Sequence, residues 1–180
     1  MLSPQTLSES DRRLVAAWAA DCADRVLPLF EAEAPDDDRP RDGIARARAF
    51  SRGELSAADE IRQRFVAGRA AQSVESPAAV AAARAAAQAG GVAHMGAHAL
   101  GAAAYAAKAA SLAGSDAEGG DALDREVAWQ LARMSPSTRV ALARLPLLGT
   151  DASGPLGSGL LASGVLGDVI RRIQAEIRPA

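Results

Sequence analysis

His94, His98, Gly101, Tyr105 and Lys108 follow one another in steps of four, three, four and three. On an α-helix that alternation keeps side chains on one face. The stretch from Gly91 to Lys108 holds both histidines of the chain and its only lysine, set among alanine and glycine. Histidine moves protons near neutral pH, and tyrosine can donate a hydrogen bond or orient a substrate. A buried lysine with a lowered pKa acts as a base or an amine nucleophile, whereas a lysine at a helix end simply reaches solvent. Two histidines four apart can also share one metal ion. The zinc-protease pattern, however, needs glutamate directly after the first histidine, and Met95 stands there. No third ligand is specified nearby in sequence; Asp21, Cys22 or Glu54 could supply one only through the fold. The sequence therefore implies no metal and no cofactor. The plainest alternative is a pair of core histidines hydrogen-bonded to carboxylates.

The N-terminal helix repeats the theme. Leu14, Trp18, Asp21 and Arg25 are spaced four, three and four apart, and Leu14 and Trp18 mark that face as inward. Asp21 and Arg25 should then project inward beside Cys22. A buried carboxylate and guanidinium need partners, because an isolated buried charge is costly. They either satisfy each other within the helix or reach the histidine stripe. Arg39, Arg41, Arg46, Arg48 and Arg52 make a basic stretch, but Asp36, Asp37, Asp38 and Asp42 lie beside it. A solvated, salt-bridged helix is the simpler reading than a phosphate site. Arg39, fixed before Pro40 at a helix start, could clamp a carboxylate, and Glu54 after Gly53 is a similar loop carboxylate. The chain has no phosphate loop, GxSxG elbow, CxxC pair or Rossmann glycine pattern, and Ser51, Ser56 and Ser73 lack a nucleophile context.

The elements that must position these groups read as helices throughout. Ser8 or Ser10 can cap a first helix to about Phe30, with Pro28 in its last turn. Pro40 opens a second that ends at Gly53. Ser56 starts a third, with Ile61, Phe65 and Gly68 on one side. Ser76-Pro77 starts an Ala-rich fourth that stops at Gly90-Gly91, and the polar-stripe helix should run from Val92 to about Ala113. Asp121 caps a sixth, Ser135-Pro136 a short seventh. The Gly/Ser/Pro-rich segment from Pro146 to Ser163 reads as a mobile loop that could cover a pocket. Leu166 to Ile177 forms a last amphipathic helix. No strand signal is evident. The expected architecture is all-α, a single-domain bundle of about six to eight helices. Residues 1–145 form its main body, and residues 146–180 add a loop and a C-terminal helix packed on it.

Composition narrows the function classes. Only 3% of residues are aromatic, so the core must rest on closely packed small side chains. A net charge of −2 argues against a general nucleic-acid binder. No apolar stretch is long enough to span a membrane, and no signal peptide is expected at the N-terminus. The lone Cys22 rules out an internal disulfide and fits a cytoplasmic protein.

The segment from Trp18 to Glu31 resembles the opening of an actinobacterial "putative immunity protein" family with an immunity-protein-five-like domain. So do Asp37 to Arg41, Ala47-Arg48, Gly53-Glu54, His94 to Ala99 and Ala104 to Ala109. The resemblance covers roughly residues 11 to 133. It implies an all-α cytoplasmic protein that binds and neutralises a toxin protein, here with an inward polar pocket lined by two helices. The other reading is a small all-α enzyme or small-molecule binder of specialised metabolism using His/Asp/Tyr acid–base chemistry. It makes His94, His98, Asp21 and Tyr105 the catalytic candidates. Trp18, Arg25, Arg39, Glu54 and Lys108 are the ligand-binding ones. The expected partner is thus a small-molecule ligand or a toxin protein, without nucleic acid or membrane, and with a homodimer as an option. In a third reading, the inward polar groups of a structural protein merely satisfy one another.

Overall fold

The computed structural model describes residues 3–63, 66–114 and 119–178. Among them the chain is all-α: nine α-helices, one short 3-10 turn and no strand beyond an isolated bridge between Asp151 and Gly157. The helices are α1 (Glu9–Glu31), α2 (Arg39–Ser51), α3 (Ala57–Gln63), α4 (Val66–Ala70) and α5 (Pro77–Gly91). They continue with α6 (His98–Ala113), α7 (Gly119–Arg133), α8 (Pro136–Ala143) and α9 (Gly164–Ile177). No helix among the described residues is long and apolar enough to cross a membrane.

Side-chain caps open three of the helices. The Ser8, Ser76 and Ser135 hydroxyls accept from the backbone N–H three residues on, opening α1, α5 and α8. Pro77 and Pro136 then occupy first-turn positions, where the missing N–H costs nothing. Gly53, at φ +81°, takes the left-handed conformation that follows α2. The expected third helix falls on α3 and α4, and residues 64–65 between them, Phe65 included, lie outside the described residues.

α6 is the central rod. From Ala99 to Ala107 every residue is buried, and α6 packs against α1, α5, α7 and α9. A helix apolar all round belongs in an interior. Alanine dominates both α6 and the facing side of α5, which buries Ala79, Ala82, Ala83, Ala86 and Ala89. Small side chains let these two axes approach closely, and theirs is the most extensive helix pairing of the fold. Larger side chains close the periphery: Phe30, Phe50, Leu100, Leu142, Ile170 and Ile173 are fully buried. Val169, Ile170, Ile173 and Ile177 form the buried face of α9.

Two positional expectations are corrected. The polar-stripe helix does not start at Val92. α5 runs to Gly91, residues 92–97 form a turn, and α6 begins at His98. The turn is held by the N-terminal segment, since Gly96 N–H donates to Thr6 O (3.0 Å) and Ala97 N–H to Gln5 O (3.0 Å). A Cβ on Gly96 would lie 2.6 Å from Leu7 Cδ1, so only glycine fits there. His94 therefore sits in the turn, exposed, and is not one helical turn below His98. The second correction concerns α1. Trp18 is buried, but Leu14 is 39% exposed and Arg25 is exposed. The inward face is instead Val15, Ala16, Ala19, Ala20, Ala23 and Val26, an alanine-rich stripe that apolar bulk alone does not reveal.

Candidate functional site

At the N-terminal end of α6, His98 Nδ1 lies 2.8 Å from Gln88 Oε1 on α5. An amide oxygen only accepts, so Nδ1 carries the proton and Nε2 is left as an acceptor. Two glycines make room for this pair. A Cβ on Gly101 would meet Gln88 Oε1 at 2.4 Å, and one on Gly91 would meet His98 Cδ2 at 3.0 Å. The pair forms a ridge shared by two grooves. One groove, of about 420 Å³, runs between His94, His98 and Tyr105 on one side and Pro155, Leu160 and Leu161 on the other. The second, of about 490 Å³, is lined by Gly68, Arg69 and Gln72 together with Gln88, His94 and His98. Tyr105 is 4% exposed, and its hydroxyl makes no hydrogen bond among the described residues. The Arg84 guanidinium lies over its ring, 5.9 Å from the centroid.

The Pro146–Ser163 segment thus does line the histidine groove. Two buried glutamines tie it down. Gln5 Nε2 donates to Asp151 Oδ2 (2.7 Å) and to Ser153 O (2.7 Å), while its Oε1 accepts from Leu156 N–H (2.9 Å). Gln174 does the same at the other end, accepting from Leu148 N–H and donating to Pro146 O.

Burial pushes the His98 imidazole down to about 4, and His94 adds to the effect. The ring is therefore neutral at pH 7 and serves as a hydrogen-bonding group. In the unfolded chain it protonates near 6.5, so the stability it contributes is present above that value and is lost as pH falls towards 4. Between pH 7 and pH 5 the wild type should lose about 2 kcal/mol through this residue. Urea unfolding at both pH values is the measurement. His98→Asn should flatten the dependence, and equal slopes for the two proteins would contradict the assignment.

The other candidates lie elsewhere. Asp21 is held by Arg48 (3.1 Å) and Arg133 (3.1 Å), and Arg25 pairs with the buried Glu126 (2.7 Å) while stacking on Trp129. The intrahelical Asp21–Arg25 pair is thus not formed, and neither residue lines the histidine grooves. Both turn from α1 towards its neighbours because the alanine stripe takes the inward face. Trp18 is a core residue whose indole N–H donates to Gln130 O at 2.9 Å. Arg39 does clamp a carboxylate, but it is the adjacent Asp37, held down to about 2 mainly by that guanidinium. Glu54 pairs with Arg52 at the surface. Lys108, half-buried, makes no ion pair among the described residues. Burial, with help from Glu126 and Asp21, raises the Cys22 thiol well above its usual range, so it is inert as a nucleophile. Among the described residues no three side chains of metal-ligating type come together.

Gln88, Arg84, Arg69 and Gln5 escape a reading based on catalytic residue types. A signal for two of them does exist. Arg84 and Gln88, four apart, are the only long polar side chains in the run Pro77–Gly91, the same helical logic that singled out Tyr105 and Lys108.

The described residues thus form an all-α domain with open grooves and dispersed ionisable groups. Residues 5–137, well over half of the chain, match the family described as Imm-5 like putative immunity protein, and the chain belongs to that family. No curated protein and no solved structure matches it.

Proposed function

We propose that this protein binds a toxin protein and blocks it without turning over a substrate, using the surface where the two grooves meet. The observation that carries the reading is family membership over residues 5–137. The dispersal of the acid–base candidates supports it. Asp21, the carboxylate a histidine relay would need, is engaged by two arginines away from the imidazoles. The cytoplasm is the compartment this reading assigns.

One observation favours the small-molecule alternative. The Tyr105 hydroxyl, without a hydrogen-bond partner among the described residues, lies in the same groove as the neutral His98 ring, a few convergent polar groups of the kind small ligands use. The test is coexpression of the protein with the product of each gene adjacent to its own, followed by size-exclusion chromatography. A stoichiometric complex that relieves the toxicity of the neighbour's product is expected. Absence of any complex, together with a metabolite that raises the melting temperature of wild type but not of Tyr105→Phe, would overturn the toxin-binding reading.

A further inference from the structure

The groove between α6 and the Pro155–Leu161 segment sets one fixed acceptor beside one free donor. His98 Nδ1 gives its proton to Gln88 Oε1 at 2.8 Å, which leaves Nε2 an acceptor. The Tyr105 hydroxyl has no partner among the described residues. Tyr105 stands two turns further along α6, and helical side chains lean towards the N-terminus, which brings the hydroxyl back towards the imidazole. Some unpartnered polar atoms elsewhere, Arg12 Nε and Gln130 Oε1 among them, are shut off from solvent. His98 Nε2 and the Tyr105 hydroxyl are not shut off, and both residues line the groove. A side chain only 4% exposed whose hydroxyl is open yet unsatisfied offers a place for a ligand atom.

The chemistry of that ligand follows from what the groove lacks. Among the described residues no carboxylate, guanidinium or ammonium group lines it, and Met95, Pro155, Leu160 and Leu161 supply apolar wall. An ion entering would shed water without a counter-charge. A carboxylate would also set its acceptors against the Nε2 lone pair, and an ammonium could not accept from the hydroxyl. A carboxamide carries both complements, an N–H for Nε2 and a C=O for the hydroxyl. The lip of the groove indicates what carries the carboxamide. Leu160 is 64% exposed, more than any other large apolar side chain described. An exposed leucine beside an uncharged polar pair matches the centre of a protein interface, where charges are depleted and apolar contact is buried. A small ligand held inside the groove would leave that leucine in water.

We propose that this groove receives the side-chain carboxamide of an asparagine or glutamine of the bound protein. Its N–H donates to His98 Nε2, its oxygen accepts from the Tyr105 hydroxyl, and an apolar neighbour of that residue packs on Leu160. This rests on the toxin-binding reading and adds the chemistry of the anchoring side chain.

The test uses the full chain, ¹⁵N-labelled, titrated with N-acetyl-Leu-Gln-Leu-amide and with the same peptide carrying glutamate or methionine at its centre. Main chain and flanks are identical, so only the central group differs. Amide shifts at Gly154, Gly159 and Leu161 are expected, with the glutamine peptide binding about fivefold or more tightly than either of the others. Tyr105→Phe should weaken the glutamine peptide by about fivefold. Its melting temperature should match wild type, because the hydroxyl makes no bond among the described residues. Leu160→Ala should weaken all three peptides alike, whereas Leu112→Ala, at an exposed leucine in the last turn of α6, should bind as wild type. Equal binding of the three peptides, or no shift in the groove at millimolar glutamine peptide, would overturn the proposal. So would shifts from free propionamide equal to those from the peptide at matched concentration, which would make the occupant a small amide. A neighbour-gene complex formed equally well by wild type, Tyr105→Phe and Leu160→Ala would also overturn it and leave the toxin-binding reading standing. Selective binding of the glutamine peptide without capture of any neighbour's product would overturn the toxin-binding reading alone.

Discussion

Gln5→Ala is expected to lower the melting temperature by about 6–12 °C and to loosen the wall of the histidine groove. Three hydrogen bonds vanish together: those to Asp151, Ser153 O and Leu156 N–H. Leu156 is fully buried, so water cannot take over its N–H, and an orphaned buried donor costs about 1–3 kcal/mol. With the other two bonds the loss reaches about 3 kcal/mol, and each kcal/mol shifts a domain of this size by about 2–4 °C. Hydrogen exchange should quicken at Leu156 and Gly157 while α5 and α6 stay protected. An unchanged melting temperature would mean that the glutamine ties contribute nothing and that apolar burial of Leu156 and Leu161 alone holds the segment.

Trp18→Ala should have the larger effect on stability. Truncating a buried tryptophan costs about 3–5 kcal/mol, equivalent here to a fall of about 6–20 °C. The indole N–H bond to Gln130 O is also lost. Gln130 in turn bridges Ala103 O on α6 and Glu126 on α7, so damage should spread to the α6–α7 contact. Trp18→Phe keeps most of the volume and should cost only about 1 kcal/mol for the missing hydrogen bond. Denaturant titration of the two variants separates a core role from a ligand contact. A near-native Trp18→Ala protein with weakened partner binding would show that Trp18 faces a ligand after all.

Helix caps were the most legible part of the fold. Ser8, Ser76, Ser135, Pro77 and Pro136 act through local geometry, which depends on neighbours in sequence and on little else. The amphipathic face of α9 was equally plain, because isoleucine and valine at helical spacing admit one orientation. The orientation of α1 was not. Leu14 and Trp18 suggested an inward face that would carry Asp21 and Arg25 inside, yet alanine covers the actual contact surface. In a core built of small side chains, bulk is a poor guide to direction. His94 was misplaced for a different reason: the break at residues 92–97 depends on backbone hydrogen bonds from Gln5 and Thr6, which no local pattern encodes. Tyr105 and His98 do share a groove, as their helical spacing suggests. Their partners come from α5 and from the segment after Gly154, contacts that only the tertiary fold creates.

The reach of Gln5 sets an order of assembly. Its side chain joins residues separated by nearly the whole polypeptide, and such long-range contacts form late. A chain truncated ahead of Asp151 would still contain α1 to α8, but its histidine cleft would gape on one side. The groove wall from Pro155 to Leu161 would then be completed only after this segment has been synthesised, later than the first appearance of folded helices.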